Sequence, residues 1–434
     1  MSASMQNYRL RDVFTPGGLP SVTYVGREHL DLEGKISRAR AKGYAFNVVT
    51  GPTKSGKSVL CHKVLDDSPL IVIEGGQVKT EDQFWQQIAY KLNIASAASK
   101  GRADTATVTA TGEVSGGIPG VLGGKGSGAF ADAAQDSSSL TYTNVPIIAS
   151  LDKMIKDEIA LLVDDFHYLD QSVQKSVIQA LKGAVFSGLT VFLLAVPHRA
   201  FDPITVENEV EGRFKHIEIP EWNTDDLSLI PQRGFAALGV AVDDKSIKEI
   251  CDEAFGNPLL VQESCSEFCL QNGVEKTETQ NPPKKLDRKK LYLAFGEIAE
   301  SKGFPKYQKL KKGPNPKKER LGRKLKDGSS DDIYSVIMSS VASLGPKAST
   351  SYIEIRGAIK EILADGEPTP QKNEITSALS HMSKIAKDKI QGEPPLEWVR
   401  GEDTLVITDP FLLFYMKWAI RNKGALEAVP DTLL

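Results

Sequence analysis

Gly51-Pro52-Thr53-Lys54-Ser55-Gly56-Lys57-Ser58 is the stretch that decides how this chain folds. It matches the pattern GxxxxGK[ST]. The apolar run Tyr44 to Thr50 ahead of it reads as a β-strand, and Val59 to Leu65 behind it reads as the opening of a helix. Glycines let such a loop turn tightly, so that backbone N–H groups and the helix N-terminus converge into an anion nest. In that frame Gly51, Thr53, Lys54, Ser55, Gly56, Lys57, Ser58 and Val59 are the candidate phosphate-binding residues. Lys57 is expected to reach the β- and γ-phosphates of a nucleotide, and the Ser58 hydroxyl to ligate Mg²⁺.

A second motif lies about a hundred residues on. Ile159-Ala160-Leu161-Leu162-Val163 is an apolar run ending in Asp164-Asp165. Such a run makes a buried central strand with two carboxylates at its C-terminal end. The first, Asp164, suits the metal's water shell, and the second, Asp165, suits orienting or deprotonating an attacking water. Asp is one methylene shorter than the Glu often found at this position in hydrolysing enzymes, so slow turnover is expected. Two acids in a surface turn would give the same letters. Further strands are expected at Pro69 to Glu74, Leu189 to Val196 and Phe214 to Ile219, with helices at Thr80 to Asn93 and Asp170 to Phe186. Strands alternating with helices predict an α/β domain around a parallel sheet.

The two motifs resemble those of the P-loop ATPases of the AAA+ and STAND groups, the ring-forming motors and the switch-like signalling NTPases. Tyr24-Val25-Gly26-Arg27-Glu28 is similar to the hhGRE box that precedes the core in STAND and origin-recognition ATPases. The resemblance places Val25, Gly26 and Arg27 near the nucleotide base. In Ala195-Val196-Pro197-His198-Arg199 it implies a γ-phosphate sensor, Arg199 or alternatively His198. In Glu211-Gly212-Arg213-Phe214 it implies an arginine finger, Arg213, acting on a neighbour's nucleotide. A helix C-terminal arginine favoured by the dipole reads the same way. Phe255-Gly256-Asn257-Pro258 looks like the GxP motif of the STAND lid, whose proline (here Pro258) approaches the nucleotide. A plain helix start, Asn257 capping and Pro258 at the first position, explains the same letters. Ile407-Thr408-Asp409-Pro410-Phe411 resembles the end of the winged helix in archaeal-type STAND ATPases.

The organisation expected is therefore an approach segment, 1–43, then a P-loop ATPase core, 44–222. A helical lid, 223–275, a basic linker, 276–330, a winged-helix domain, 331–425, and a tail, 426–434, follow. In the last domain helices are expected near 331–344, 351–364 and 371–388. A hairpin of Leu396–Arg400 with Thr404–Thr408 and a final helix from Phe411 to Arg421 complete it. Residues 94–146, rich in Ala, Gly, Ser and Thr, read as an inserted loop or hairpin: a pore loop, partner clamp or membrane-seeking tip, or a disordered insertion.

Charge is uneven. The 434 residues sum to −3, yet 284–326 hold sixteen Lys/Arg against four Asp/Glu, a balance of +12. This suits a polyanion partner or a solvated linker. Within 302–326 the lysines alternate with Phe304, Tyr307 and Leu310, a pattern compatible with nucleic acid, as is the helix near 371–388. That helix, in turn, suits locking against the nucleotide domain as well as it suits DNA. Hydrophobic residues at 41% and charged residues at 25% exclude a disordered or fibrous chain. No stretch approaches a membrane span, and Met1 to Thr15 carries no signal-peptide core, so a cytoplasmic protein is expected. Four cysteines make no disulfide scaffold, and Cys265 and Cys269 read as small buried residues.

The reading that results is a switch using ATP and Mg²⁺. Nucleotide binding changes its conformation or drives homo-oligomerisation, and so controls a separately encoded protein partner, in keeping with a conflict or defence role implied by the resemblance. The alternatives are an ATP-controlled nucleic-acid loader or transposition regulator, and a nucleotide-binding scaffold with little turnover. No NKxD-like guanine reader accompanies the loop.

Overall fold

A computed structural model describes residues 7–66, 69–94, 147–196, 213–316, 319–390 and 394–421, the side chains of 419–421 excepted. The chain divides into two compact units. One comprises Met1–Ile36, Val49–Val64 and Ile217–Leu434, and the other Ser37–Val48 and Leu65–His216.

The second unit is built on a sheet of five strands: β1 (Phe46–Thr50), β2 (Leu70–Glu74), β3 (Ala160–Asp164), β4 (Val191–Ala195) and β5 (Phe214–Glu218). The last residues of β1 and β5 run on into the first unit. The strand order is β2-β3-β4-β1-β5, and β2, β3 and β4 are parallel. All five lie within the stretches where strands were expected. Leu161, Leu162 and Val163 have no exposed surface, as expected of a strand covered on both faces. One face alternates Phe46 and Val48, Ile71 and Ile73, Leu161 and Val163, Val191 and Leu193 into a single core. Helix α3 (Glu81–Lys91) supplies Phe84, Trp85 and Ile88 to it. Helix α4, over 147–156, supplies Met154, and α5 (Gln171–Phe186) supplies Val177, Ile178 and Leu181 at helical spacing.

In the first unit the phosphate-loop helix is α2 (Lys57–Leu65), which begins inside the motif, and α1 (Leu32–Lys42) begins in this unit. Three helices fill the segment expected to be a helical lid: α6 (Thr224–Ala237), α7 (Asp244–Asp252) and α8 (Pro258–Gln271). The segment expected to be a basic linker differs from expectation. It carries α9 (Lys289–Ile298) and α10 (Phe304–Lys312), joined by a π-turn over Ala299–Gly303. Leu291, Phe295, Ile298, Tyr307 and Leu310 are buried. The aromatic and apolar residues read there as interleaved with lysines for nucleic acid thus face the core. The reason is helical spacing, which turns them inward while the lysines stay at the surface.

The C-terminal elements run α11 (Ile333–Ser343), β6 (Ser349–Ser351), α12 (Tyr352–Ile362), α13 (Lys372–Lys389), β7 (Leu396–Val399), β8 (Thr404–Ile407) and α14 (Pro410–Tyr415). β8 pairs antiparallel with β7, Leu396 opposite Ile407, and with β6, Thr350 opposite Leu405. This is the winged-helix order. A single apolar core joins these elements, β6 apart, to α6–α10, through Phe235, Phe268, Phe295, Phe414 and Trp418 among others. The insertion 94–146, apart from Ile94, and the tail 426–434 lie outside the described residues.

Candidate nucleotide site

The phosphate loop belongs to the first unit. Gly56 adopts φ +89°, a left-handed conformation that glycine tolerates, and Lys54 is also left-handed at φ 57°. Ser55 N donates to Pro52 O at 3.2 Å, closing the turn. Lys57, almost fully buried, is the first residue of α2, and its ammonium curls back to donate to Gly51 O at 3.0 Å and Pro52 O at 2.9 Å. A buried ammonium needs acceptors, and here the loop's own carbonyls serve. The Ser55 Oγ, also buried, has no hydrogen-bond partner among the described residues. Ser58 and Val59 follow in the first turn of α2, both half-buried.

Three groups that the sequence did not single out as partners of this loop hold it. Trp222 Nε1 donates to Ser55 O at 2.8 Å. Asn257 Nδ2 donates to Thr53 O at 3.1 Å, while its Oδ1 caps α8 by accepting from Leu259 N and Leu260 N. Asp409, at the N-cap of α14, accepts from Lys54 Nζ at 2.6 Å. The GxP-like segment therefore does reach the loop, but through Asn257, with Pro258 beside it at the first position of α8.

Arg27 is buried and left-handed. Its guanidinium donates to Pro220 O at 3.0 Å and Glu221 O at 3.3 Å and stacks 4.4 Å from the Trp222 ring. Burial lowers its pKa. The arginine of the GRE-like box thus braces the residue that holds Ser55. Val25 packs into the apolar core, and Gly26 is buried where a Cβ would come within 2.9 Å of Glu33 Oε1. The box is tied down by α8, whose Gln262 donates to Thr23 Oγ1 at 2.8 Å and accepts from Thr15 N at 3.1 Å.

Asp409 is the most heavily engaged carboxylate beside the loop. Its Oδ1 accepts from Leu412 N at 2.9 Å, and its Oδ2 accepts from both Lys54 and Lys306 at 2.6 Å. Burial pushes its pKa up, but the two ammonium groups outweigh that and hold it below the ordinary carboxylate range. Its contribution to stability is therefore present at neutral pH and is lost as pH falls through the depressed folded value.

Asp164 and Asp165 belong to the second unit. Asp164 ends β3 opposite Glu74 of β2, and its Oδ1 accepts from Asp165 N at 3.0 Å. Asp165 is left-handed at φ 51°. Gly75 lets the next turn approach: a Cβ there would lie 2.4 Å from Asp165 O and 2.9 Å from Asp164 O. Arg213 precedes β5, half-buried, with its guanidinium 5.0 Å from the Phe186 ring. Arg199 and His198 lie outside the described residues.

Cys265 and Cys269 are buried, burial holding the Cys265 thiol well above its usual range and pushing Cys269 up to about 12. Among the described residues no cluster of three His, Cys, Asp or Glu forms a metal site. No helix among them is long and apolar enough to cross a membrane.

No protein-family model matches the chain, and no curated protein matches it. Solved structures do. The Walker-type ATPase PABY2304 of Pyrococcus abyssi is 15% identical with a TM-score of 0.50, over 91% of this chain and 99% of that one. The ORC2 protein of Aeropyrum pernix, in its ADPNP–ADP complexes, is 10% identical with a TM-score of 0.50, over 96% and 98%. At such identities the likeness is one of fold, an α/β fold of the P-loop NTPase kind with helices on a parallel central sheet.

Proposed function

We propose that the protein is an ATP-binding switch of the STAND/AAA+ kind that hydrolyses ATP slowly. The observation that carries this reading is Lys57, buried at the start of α2 with its ammonium on the carbonyls of Gly51 and Pro52. An ammonium held over a glycine loop, beside an unpartnered Ser55 Oγ, suits an incoming phosphate. The Ser58 hydroxyl and the Asp164 carboxylate are each hard oxygen donors of the kind magnesium takes. Bound there, the metal would neutralise charge on the β- and γ-phosphates. Thr53, Lys54, Ser55, Gly56 and Lys57 bind and orient the phosphates. Asp165 orients the attacking water and accepts its proton. Pro258 and the Val25–Arg27 box border the nucleotide, and Arg199 senses the γ-phosphate.

In this reading ATP and Mg²⁺ order the chain into a homo-oligomer, Arg213 reaches a neighbour's nucleotide, and the assembly acts on a separately encoded protein in a cytoplasmic defence pathway. The second reading, a nucleic-acid regulator, is favoured by one observation. Lys309 on α10 reaches Lys389 O at the end of α13, which gathers exposed Lys309, Lys312, Lys384, Lys387 and Lys389 on two neighbouring helices. Lys317 and Lys318 lie outside the described residues.

Light scattering after size-exclusion chromatography separates the readings. Samples without nucleotide, with ADP–Mg²⁺ and with a non-hydrolysable ATP analogue are each run with and without duplex DNA. The switch predicts a larger assembly with the ATP analogue alone, lost in Arg213→Ala. A shift that needs DNA selects the regulator, and a monomer under every condition contradicts both.

A further inference from the structure

The phosphate loop carries two lysines, and each has an internal partner. Lys57 is satisfied by loop carbonyls, and Lys54 by Asp409, 355 residues further on. Asp409 is 3% exposed, and Lys54 and Lys306, which share its Oδ2, are about one quarter exposed. One carboxylate thus faces two ammonium groups, and the Phe411 ring lies 5.6 Å from Lys54 Nζ and 5.4 Å from Lys306 Nζ. The cluster holds a net charge of +1 and lies against the loop that is shaped for phosphate.

Lys54 has a left-handed backbone, a conformation uncommon for a non-glycine residue. That backbone keeps its side chain rooted inside the loop, so a phosphate group held by the loop's amides and the Asp409 carboxylate are alternative anions for one ammonium. Lys306 is rooted in α10, outside the loop, and neutralises the same carboxylate. It therefore weakens the hold of Asp409 on Lys54.

We propose that Asp409 is an internal competitor of the nucleotide's phosphates for Lys54, and that Lys306 sets the strength of that competition. The proposal rests on the nucleotide-binding reading above and names the residues that tune affinity at the same site. Because Asp409 also caps α14, phosphate capture of Lys54 removes one of two cations holding the start of that helix.

Asp409→Asn is the decisive variant. Asn is as good a helix cap as Asp, so the bond to Leu412 N survives while the charge is lost. Lys306→Met keeps the apolar stem and removes the competing cation. Affinity is read with a fluorescent ATP analogue and Mg²⁺, and thermal melting confirms folding. Asp409→Asn is expected to tighten binding by about tenfold, the worth of one charge-assisted hydrogen bond. Lys306→Met is expected to weaken binding. A merely structural cluster would move both variants in the same direction, or neither, and that result overturns the proposal. If Asp409→Asn fails to fold, Lys306→Met decides alone, and unchanged or tighter binding overturns it. A wild-type protein that binds no nucleotide sinks the underlying reading as well, whereas wild-type binding without the opposed shifts sinks this inference only.

Discussion

Trp222 and Asn257 hold the phosphate loop from behind, each with one hydrogen bond to a loop carbonyl. Phe at position 222 keeps an aromatic ring beneath Arg27 and deletes the donor to Ser55 O along with part of the indole's bulk. A part-buried hydrogen bond of this kind is worth about 0.5–1.5 kcal/mol, so Trp222→Phe should weaken nucleotide binding by roughly two- to tenfold with the fold intact. Equal affinities in a titration would remove Trp222 from the site. At this scale the sequence disclosed the residues whose roles follow from local conformation. Gly56 needs positive φ, and Lys57 opens a helix after a strand. Trp222, Asn257 and Asp409 were not visible as loop partners, because their contacts span 167, 204 and 355 residues. No periodicity encodes such pairings. Asn257 was legible as a cap only, and its second bond is a tertiary fact. Arg27, expected near the base, makes backbone contacts at Pro220 and Glu221 that its local sequence did not disclose.

The acid turn after β3 depends on its neighbour. Gly75 follows β2, and its missing side chain admits the carbonyls of Asp164 and Asp165. Alanine there meets backbone rather than a movable side chain, and overpacking of this kind costs about 1–3 kcal/mol. Gly75→Ala should therefore lower the melting temperature and reduce ATP turnover, with nucleotide binding less affected. Asp165→Asn should lose turnover and keep both binding and stability. Normal turnover in either variant would detach the turn from hydrolysis. Strands β1, β3 and β4 were readable because burial on both faces leaves near-continuous apolar runs. The segment 276–330 was misread for the opposite reason. Its lysines and prolines dominate the composition, while Leu291, Phe295 and Ile298, then Tyr307 and Leu310, carry a helical stripe that decides the packing. β6, three polar residues long, has no apolar signal at all and exists because β8 offers it an edge.

For the whole molecule the sequence fits one α/β order, and the solved structures with 10% and 15% identity share it over nearly the full chain. Sequence drift of that size preserves a fold because apolar patterning tolerates substitution so long as volume and periodicity are kept. It does not preserve partners, which depend on particular surface groups. The charge asymmetry illustrates this. Of the +12 segment, Lys306 is committed to Asp409, Lys302 to Glu263 at 3.3 Å, and Arg323 to Glu374 at 2.9 Å. Part of the apparent polyanion signal is thus internal ion pairing.

The loop from Gly51 to Ser58 is proposed to bind a nucleotide through Lys57. Isothermal titration of a non-hydrolysable ATP analogue with Mg²⁺ into the wild-type chain and into Lys57→Ala tests it most directly. The account predicts one site per chain in the wild type and no measurable binding in the variant. Binding of equal strength in both, or none in the wild type, would contradict it.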